Sequence, residues 1–228
     1  MLAGALLAGG LAALLALVNG SRAPDLAVPT SALVLDRAGR LLRPFTVAGG
    51  RWRMPVDLAE VDPRLTAMLL AFEDRRFWSH AGIDPRAIAR AAEQMIANGR
   101  IVSGASTITM QLARLLDGRT TRSPVGKLTQ IAAALALERR ESKEAILTAY
   151  LTLAPYGGNI EGVRAASLAW FGKEPLRLTA AEAALLVAIP QTPEARRPDR
   201  HPETARRARD RVLARAAESG VISEDEAR

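Results

Sequence analysis

Cysteine is absent from the sequence. That excludes a disulfide framework, a thiolate metal site and a thiol nucleophile, and leaves the compartment open. Histidine is nearly absent: His80 and His201 are the only two, and neither sits at the spacing of a metal cluster. Aromatic residues make up 4% of the chain, too few to provide a stacking platform for single-stranded nucleic acid. Lysine is scarce as well. Only Lys127, Lys143 and Lys173 stand among 31 cationic residues, set against 24 acidic ones, for a net charge of +7. Two readings of this balance stand side by side: a composition bias toward arginine, or an anionic partner such as a phospholipid headgroup, a phosphorylated substrate or nucleic acid. No G-x-S-x-G elbow occurs, and Gly126-Lys127 lacks the remainder of a phosphate-binding loop.

What is present begins with an uncharged run, "MLAGALLAGGLAALLALVNG". Its length is near the lower limit for a membrane-spanning helix. It has neither the basic start nor the small-residue cleavage site of a secretory signal. We read residues 1–19 as an uncleaved transmembrane anchor, which places the rest of the chain beside a membrane and outside the cytoplasm. Residues 20–50 read as a linker carrying a short β-hairpin, with apolar runs on either side of "DRAG". The remainder is apolar enough, at 49% over 228 residues, to bury one sizeable core.

From Val61 onward the pattern is helical. Asp62 is an N-cap with Pro63 at the first helical position, and Leu65, Met68, Leu69 and Phe72 recur at helical spacing. This helix delivers Glu73 and Asp74 to its C-terminal end. Asp84-Pro85 starts a second helix. Residues 126–153 read as one long Ala- and Leu-rich helix. Thr179 and Glu182 form a capping box, and Pro202–Ala217 is a charged helix studded with arginine. The sequence predicts a mainly α domain over 51–217, with 218–228 a tail or the start of a following region.

Two clusters carry chemistry. In "AFEDRRFWSHAGIDPRA" the negative end of a helix dipole, the like charge of Asp74 and nearby aromatics all oppose ionisation of Glu73, the conditions under which a carboxyl serves as general acid or base. The competing reading has Glu73 and Asp74 paired with Arg75 and Arg76 on a solvated face. His80 could be a base, a ligand or a packing residue. In "SGASTITMQLAR", Gly104 lets the backbone turn, Ser106, Thr107 and Thr109 offer hydroxyls, Gln111 an amide and Arg114 a cation. That set suits a phosphate or sugar, and by itself also reads as a capped helix start.

Taken together, "EDRRFWSHAGID" and "GASTITMQLAR", followed in order by "YLTLAPYGGNIEGVRAASLAWFGK" and "LTAAEAALLVAIPQTP", resemble the family 51 glycosyltransferases. These are the peptidoglycan glycosyltransferase domains of penicillin-binding proteins. "TMQ", where most members have "TQQ", resembles the 1C class of bifunctional members. The resemblance implies a lysozyme-like helical fold with an N-terminal transmembrane helix and a small β element. It implies a single-pass protein of the cytoplasmic membrane with its catalytic domain on the periplasmic or extracellular face. The implied partners are lipid II, the growing glycan strand, the membrane and other cell-wall synthesis proteins; nucleic acid is not among them. Glu73 would be the catalytic base. Asp74, Phe77 and His80 would shape the acceptor wall, and Gly104, Ser106, Thr107, Gln111 and Arg114 would line the donor site. Lys127 would neutralise pyrophosphate and Gln130 would contact sugar or phosphate. The protein itself is expected to ligate no metal, although a divalent cation, Mg or Mn, could share the work at the pyrophosphate. The apolar stretch 101–116 would dock on the bilayer with the anchor.

The chain departs from the family pattern at Gln130, where the third motif usually has a glutamate three residues after the lysine. An amide can hydrogen-bond but cannot carry charge, so a weakly active or non-catalytic module that binds lipid II or glycan is the alternative function. Glu138, two turns further on, reads as structural. No S-x-x-K or K-T-G motif of a transpeptidase appears, and we expect the sequence to be a piece of a longer bifunctional protein.

Overall fold

The computed structural model describes residues 20, 22–98, 106–118 and 123–228. The expected anchor, residues 1–19, and Gly104 lie outside them. Among the described residues no helix is long and apolar enough to cross a membrane. The fold is mainly helical. Helices α1 to α9 are Pro63–Glu73, Pro85–Asn98, Ile108–Asp117, Pro124–Glu138, Lys143–Leu153, Val163–Phe171, Ala180–Ala188, Pro202–Glu218 and the short Glu224–Ala227. Strands β1 to β4 are Leu33–Leu35, Leu41–Pro44, Trp52–Arg53 and Ile160–Glu161. The chain divides into two compact units. One is Arg76–Leu147 with the described residues before Ala27; the other is Ala27–Arg75 with Thr148–Arg228.

In the second unit, β1 and β2 form the expected antiparallel hairpin. Asp36 closes its turn by accepting hydrogen bonds from the backbone of Ala38 and Arg40 at 2.8 and 2.9 Å. These bonds, Arg40's first, hold its carboxyl below the usual range. Strands β3 and β4 pair in parallel, Trp52 beside Ile160, and the buried Glu161 accepts from Arg53 Nε at 2.8 Å and also from Arg51.

Helix α1 starts as the sequence predicts. Asp62 accepts from the Arg64 amide at 2.9 Å, and Pro63 gives up an amide proton that had no partner in the first turn. Its buried face, Leu65, Met68 and Leu69, packs in a layer with α7 and α8. Helix α7 carries the Thr179–Glu182 capping box. Helix α8 buries Ala205, Ala208, Val212, Leu213 and Ala216, one stripe at helical spacing, and leaves its arginines outside.

In the first unit, α3 packs on α4. Two expectations change here. The long helix over 126–153 is broken: α4 ends at Glu138 and α5 begins at Lys143. The charged stretch "ERRES" has no apolar face to continue, and Ser142 recaps the chain by accepting from the Ala145 amide at 3.1 Å. The described part of the stretch 101–116 also turns its apolar residues inward. Ile108, Met110, Leu112 and Ala113 are buried at 0–2% exposure. They form the core of this unit and are not available to dock on a bilayer.

Candidate active site

The candidate residues divide between the two units. Glu73 and Asp74 belong to the second; Phe77, His80, Ser106, Thr107, Gln111, Arg114, Lys127 and Gln130 belong to the first.

Glu73 is the last residue of α1 and is half-buried. Its Oε1 accepts a hydrogen bond from Gln191 Nε2 at 2.6 Å. Gln191 ends the turn Ile189–Gln191, and its own oxygen accepts from Arg196 Nη1 at 2.9 Å. Neither Gln191 nor Arg196 was singled out from sequence. The "IPQTP" stretch carried the signal, two polar residues between two prolines after an apolar helix, but nothing local tied Gln191 to a residue 118 positions earlier. Asp74 is the C-cap of α1 and only 5% exposed. It sits inside the turn, which corrects the expectation that it faces substrate. The arginines that follow are committed elsewhere. Arg75 donates to Ser219 Oγ at 2.9 Å, and Arg76 forms a bidentate ion pair with Asp84, Nε to Oδ2 at 3.0 Å. Asp84 also accepts from the Ala87 amide at 2.9 Å, so one buried carboxylate both caps α2 and holds the preceding turn.

Phe77 is fully buried, with Trp78 and His80 against it edge-on at 5.1 and 6.2 Å between centroids. The Lys143 ammonium stands 4.4 Å over its ring. An aromatic so enclosed can shape a wall only from within and is not open to direct contact; Trp78 is the exposed member of the pair. His80 accepts from the Gly82 amide at Nδ1, 3.2 Å. It lines a cleft of about 390 Å³ with Arg76, Ser79, Ile83, Arg86 and Leu135.

Thr107 is 2% exposed and has both roles of its hydroxyl filled. It donates to Gly82 O at 2.6 Å and accepts from the Met110 amide at 3.1 Å, capping α3. It therefore fixes the loop of the first motif against the helix of the second, a correction to the donor-site role. Thr109 is likewise buried and donates to Glu138 at 2.6 Å; Glu138 also pairs with Lys143 at 2.7 Å. This closed cluster agrees with a structural Glu138.

Ser106 and Lys127 meet. The Lys127 ammonium donates to Ser106 Oγ at 2.7 Å. Burial, and then the like charge of Arg114, hold Lys127 below the usual lysine range. Among the described residues no carboxylate lies within ion-pair distance of Lys127 or Arg114. Two cations beside a hydroxyl, with no counter-charge among the described residues, are suited to an anion. Gln111 is half-buried on α3 one turn before Arg114. Gln130, on α4, lines a cleft of about 420 Å³ with Arg22, Asp117 and Thr129. No group of three potential metal ligands occurs among the described residues.

The model of the transglycosylase family matches residues 39–217. This chain belongs to that family. Penicillin-binding protein 1C of Escherichia coli (strain K12) is 47% identical over 194 residues, 85% of this chain and 25% of that protein. Penicillin-binding protein 1A of Aquifex aeolicus (strain VF5) is 38% identical over 198 residues, 87% of this chain and 27% of that one. The crystal structure of penicillin-binding protein 1A from Haemophilus influenzae matches with a TM-score of 0.47 at 20% identity, over 88% of this chain and 20% of that one. This transglycosylase domain thus spans about a quarter of the length of the curated relatives it matches. The likeness to the 1C class read from Thr109-Met110-Gln111 accords with the first of these relatives.

Proposed function

We propose that this transglycosylase domain polymerises lipid II into glycan strands, with Glu73 as general base. Glu73 takes the proton of the acceptor's sugar 4-hydroxyl while that oxygen attacks the anomeric carbon of the donor. The bond from that carbon to pyrophosphate breaks, undecaprenyl diphosphate leaves, and the configuration inverts. Negative charge grows on the leaving group as the bond breaks, and fixed cations aimed at such charge lower the barrier. Lys127 supplies one, oriented by Ser106, and Arg114 a second. The observation that carries this reading is that pair of cations, uncompensated among the described residues, set in a chain whose family is known.

The Lys127 and Arg114 cations would repel a divalent cation, and the site does not fit a metal held by the protein. We propose Mg or Mn only as a counter-ion carried on the pyrophosphate. We also propose the lysozyme-like arrangement of the family. Residues 1–19 would be a single-pass anchor in the cytoplasmic membrane, with the catalytic domain on its outer face. Lipid II, the growing strand and other cell-wall synthesis proteins are the proposed partners, within a longer bifunctional protein.

The test is polymerisation of labelled lipid II in detergent by the purified chain beside Glu73→Gln. Wild type is expected to give glycan chains and Glu73→Gln at least about a hundredfold fewer, the usual worth of a positioned base. A wild type that binds lipid II without joining it would favour the binding-module reading, with Gln130 as the first position to restore to glutamate.

A further inference from the structure

The loop after α7 reaches back to the end of α1, and what it does there is specific. A side-chain amide can present either its NH2 or its oxygen, and the two are nearly equal in shape. At Gln191 the choice is forced. Arg196 Nη1 donates to Gln191 Oε1 at 2.9 Å and to Ala188 O at 2.6 Å. A guanidinium only donates, so the amide oxygen must face Arg196 and the NH2 must face Glu73, where the contact is 2.6 Å. The guanidinium is in turn anchored on the carbonyl that ends α7, among the buried residues Leu186, Val187, Ala188 and Ile189. Arg196 is held there at some cost. Burial and the like charge of Arg211 weigh against its cation, and Glu73 offsets part of this. All of these groups lie in one compact unit.

We infer that Gln191 and Arg196 are positioning residues for Glu73: the guanidinium orients the amide, and the amide fixes the plane of the carboxylate. A glutamate at a helix end otherwise samples several rotamers. A general base must stand within hydrogen-bond reach of one particular proton, and misplacement of about 1 Å can cost a hundredfold in rate. The inference rests on the transferase reading, in which Glu73 accepts that proton.

The test is steady-state polymerisation of labelled lipid II by the full chain and by Gln191→Leu, Gln191→Glu, Arg196→Leu and Arg196→Lys, with thermal melts of each. Both Gln191 variants are expected to lose about tenfold to a hundredfold in kcat, with KM within about twofold and melting temperature within a few degrees of wild type. Arg196→Lys, which keeps a donor, should retain several times the kcat of Arg196→Leu. A folded Gln191→Leu at wild-type kcat overturns the assignment while the transferase reading stands. So does a loss confined to KM. A wild-type chain that fails to polymerise overturns the transferase reading, and this assignment with it.

Discussion

Single side chains in this domain are read best by what already occupies them. Lys143 is the clearest case, since its one ammonium serves Glu138 at 2.7 Å and the face of Phe77 at 4.4 Å. Glu138 is 6% exposed at its side chain. Removing the lysine alone leaves that carboxylate buried with, among the described residues, only the Thr109 hydroxyl as a polar partner. Breaking a buried pair from one side costs about 3–5 kcal/mol, whereas replacing both partners by apolar groups is close to neutral. Lys143→Met is therefore expected to lose about 3 kcal/mol in urea titration. The double variant Lys143→Met, Glu138→Leu should recover most of it. Additive losses would mean that the two residues do not act as a pair. The sequence showed Glu138 as a lone acid off the face of Gln130; its partners were invisible because they come from 29 residues before it and five after.

At the scale of elements, the helix starts were legible and the contacts between elements were not. Asp62-Pro63, Asp84-Pro85 and Thr179 with Glu182 are local signals, each read within four residues, and each caps the expected helix. Thr107 shows the limit. Its place before an apolar periodic run marks it as an N-cap, but its proton goes to Gly82 O, 25 residues earlier. Gly82 explains why the approach is so close. It has φ +97°, and a Cβ there would lie 2.8 Å from the Ala134 carbonyl oxygen, so only glycine fits both the backbone angle and the space. One loop is thereby pinned to α3 and pressed on α4. Thr107→Val removes the cap and the tie together and is expected to cost about 2–3 kcal/mol, against less than about 1 kcal/mol for Thr107→Ser. Chemical denaturation of the two variants decides it. Equal losses would show that the hydroxyl contributes no more than the methyl group, and would count against the tie. The same long-range closure explains why Phe77 and Thr107, read from sequence as substrate contacts, are buried supports.

For the molecule as a whole, the excess positive charge is carried almost entirely by arginine. Arginine stays protonated throughout the range in which proteins are handled, and exposed ion pairs are screened by salt. Binding of the chain to vesicles of anionic phospholipid is therefore expected to fall several-fold between about 0.05 and 0.5 M salt, and to stay flat between about pH 6 and pH 9. Co-sedimentation measures both, and a strong decline toward pH 9 would assign the attraction to something other than arginine. The scarcity of lysine has a consequence of a different kind. Lys143 is held in a buried pair and Lys173 is bound to Glu182 at 2.7 Å. Lys127 is pushed below the usual range by burial and by Arg114. The sign follows directly: a base with a lowered folded-state value carries more uncharged amine than an ordinary lysine at any given pH beneath it. An uncharged amine is the nucleophilic form. Lys127, beside the proposed leaving group, is thus open to acylation at a milder pH than an ordinary lysine. The domain thereby carries a built-in chemical handle at the proposed anion site, where a single covalent tag would report on occupancy.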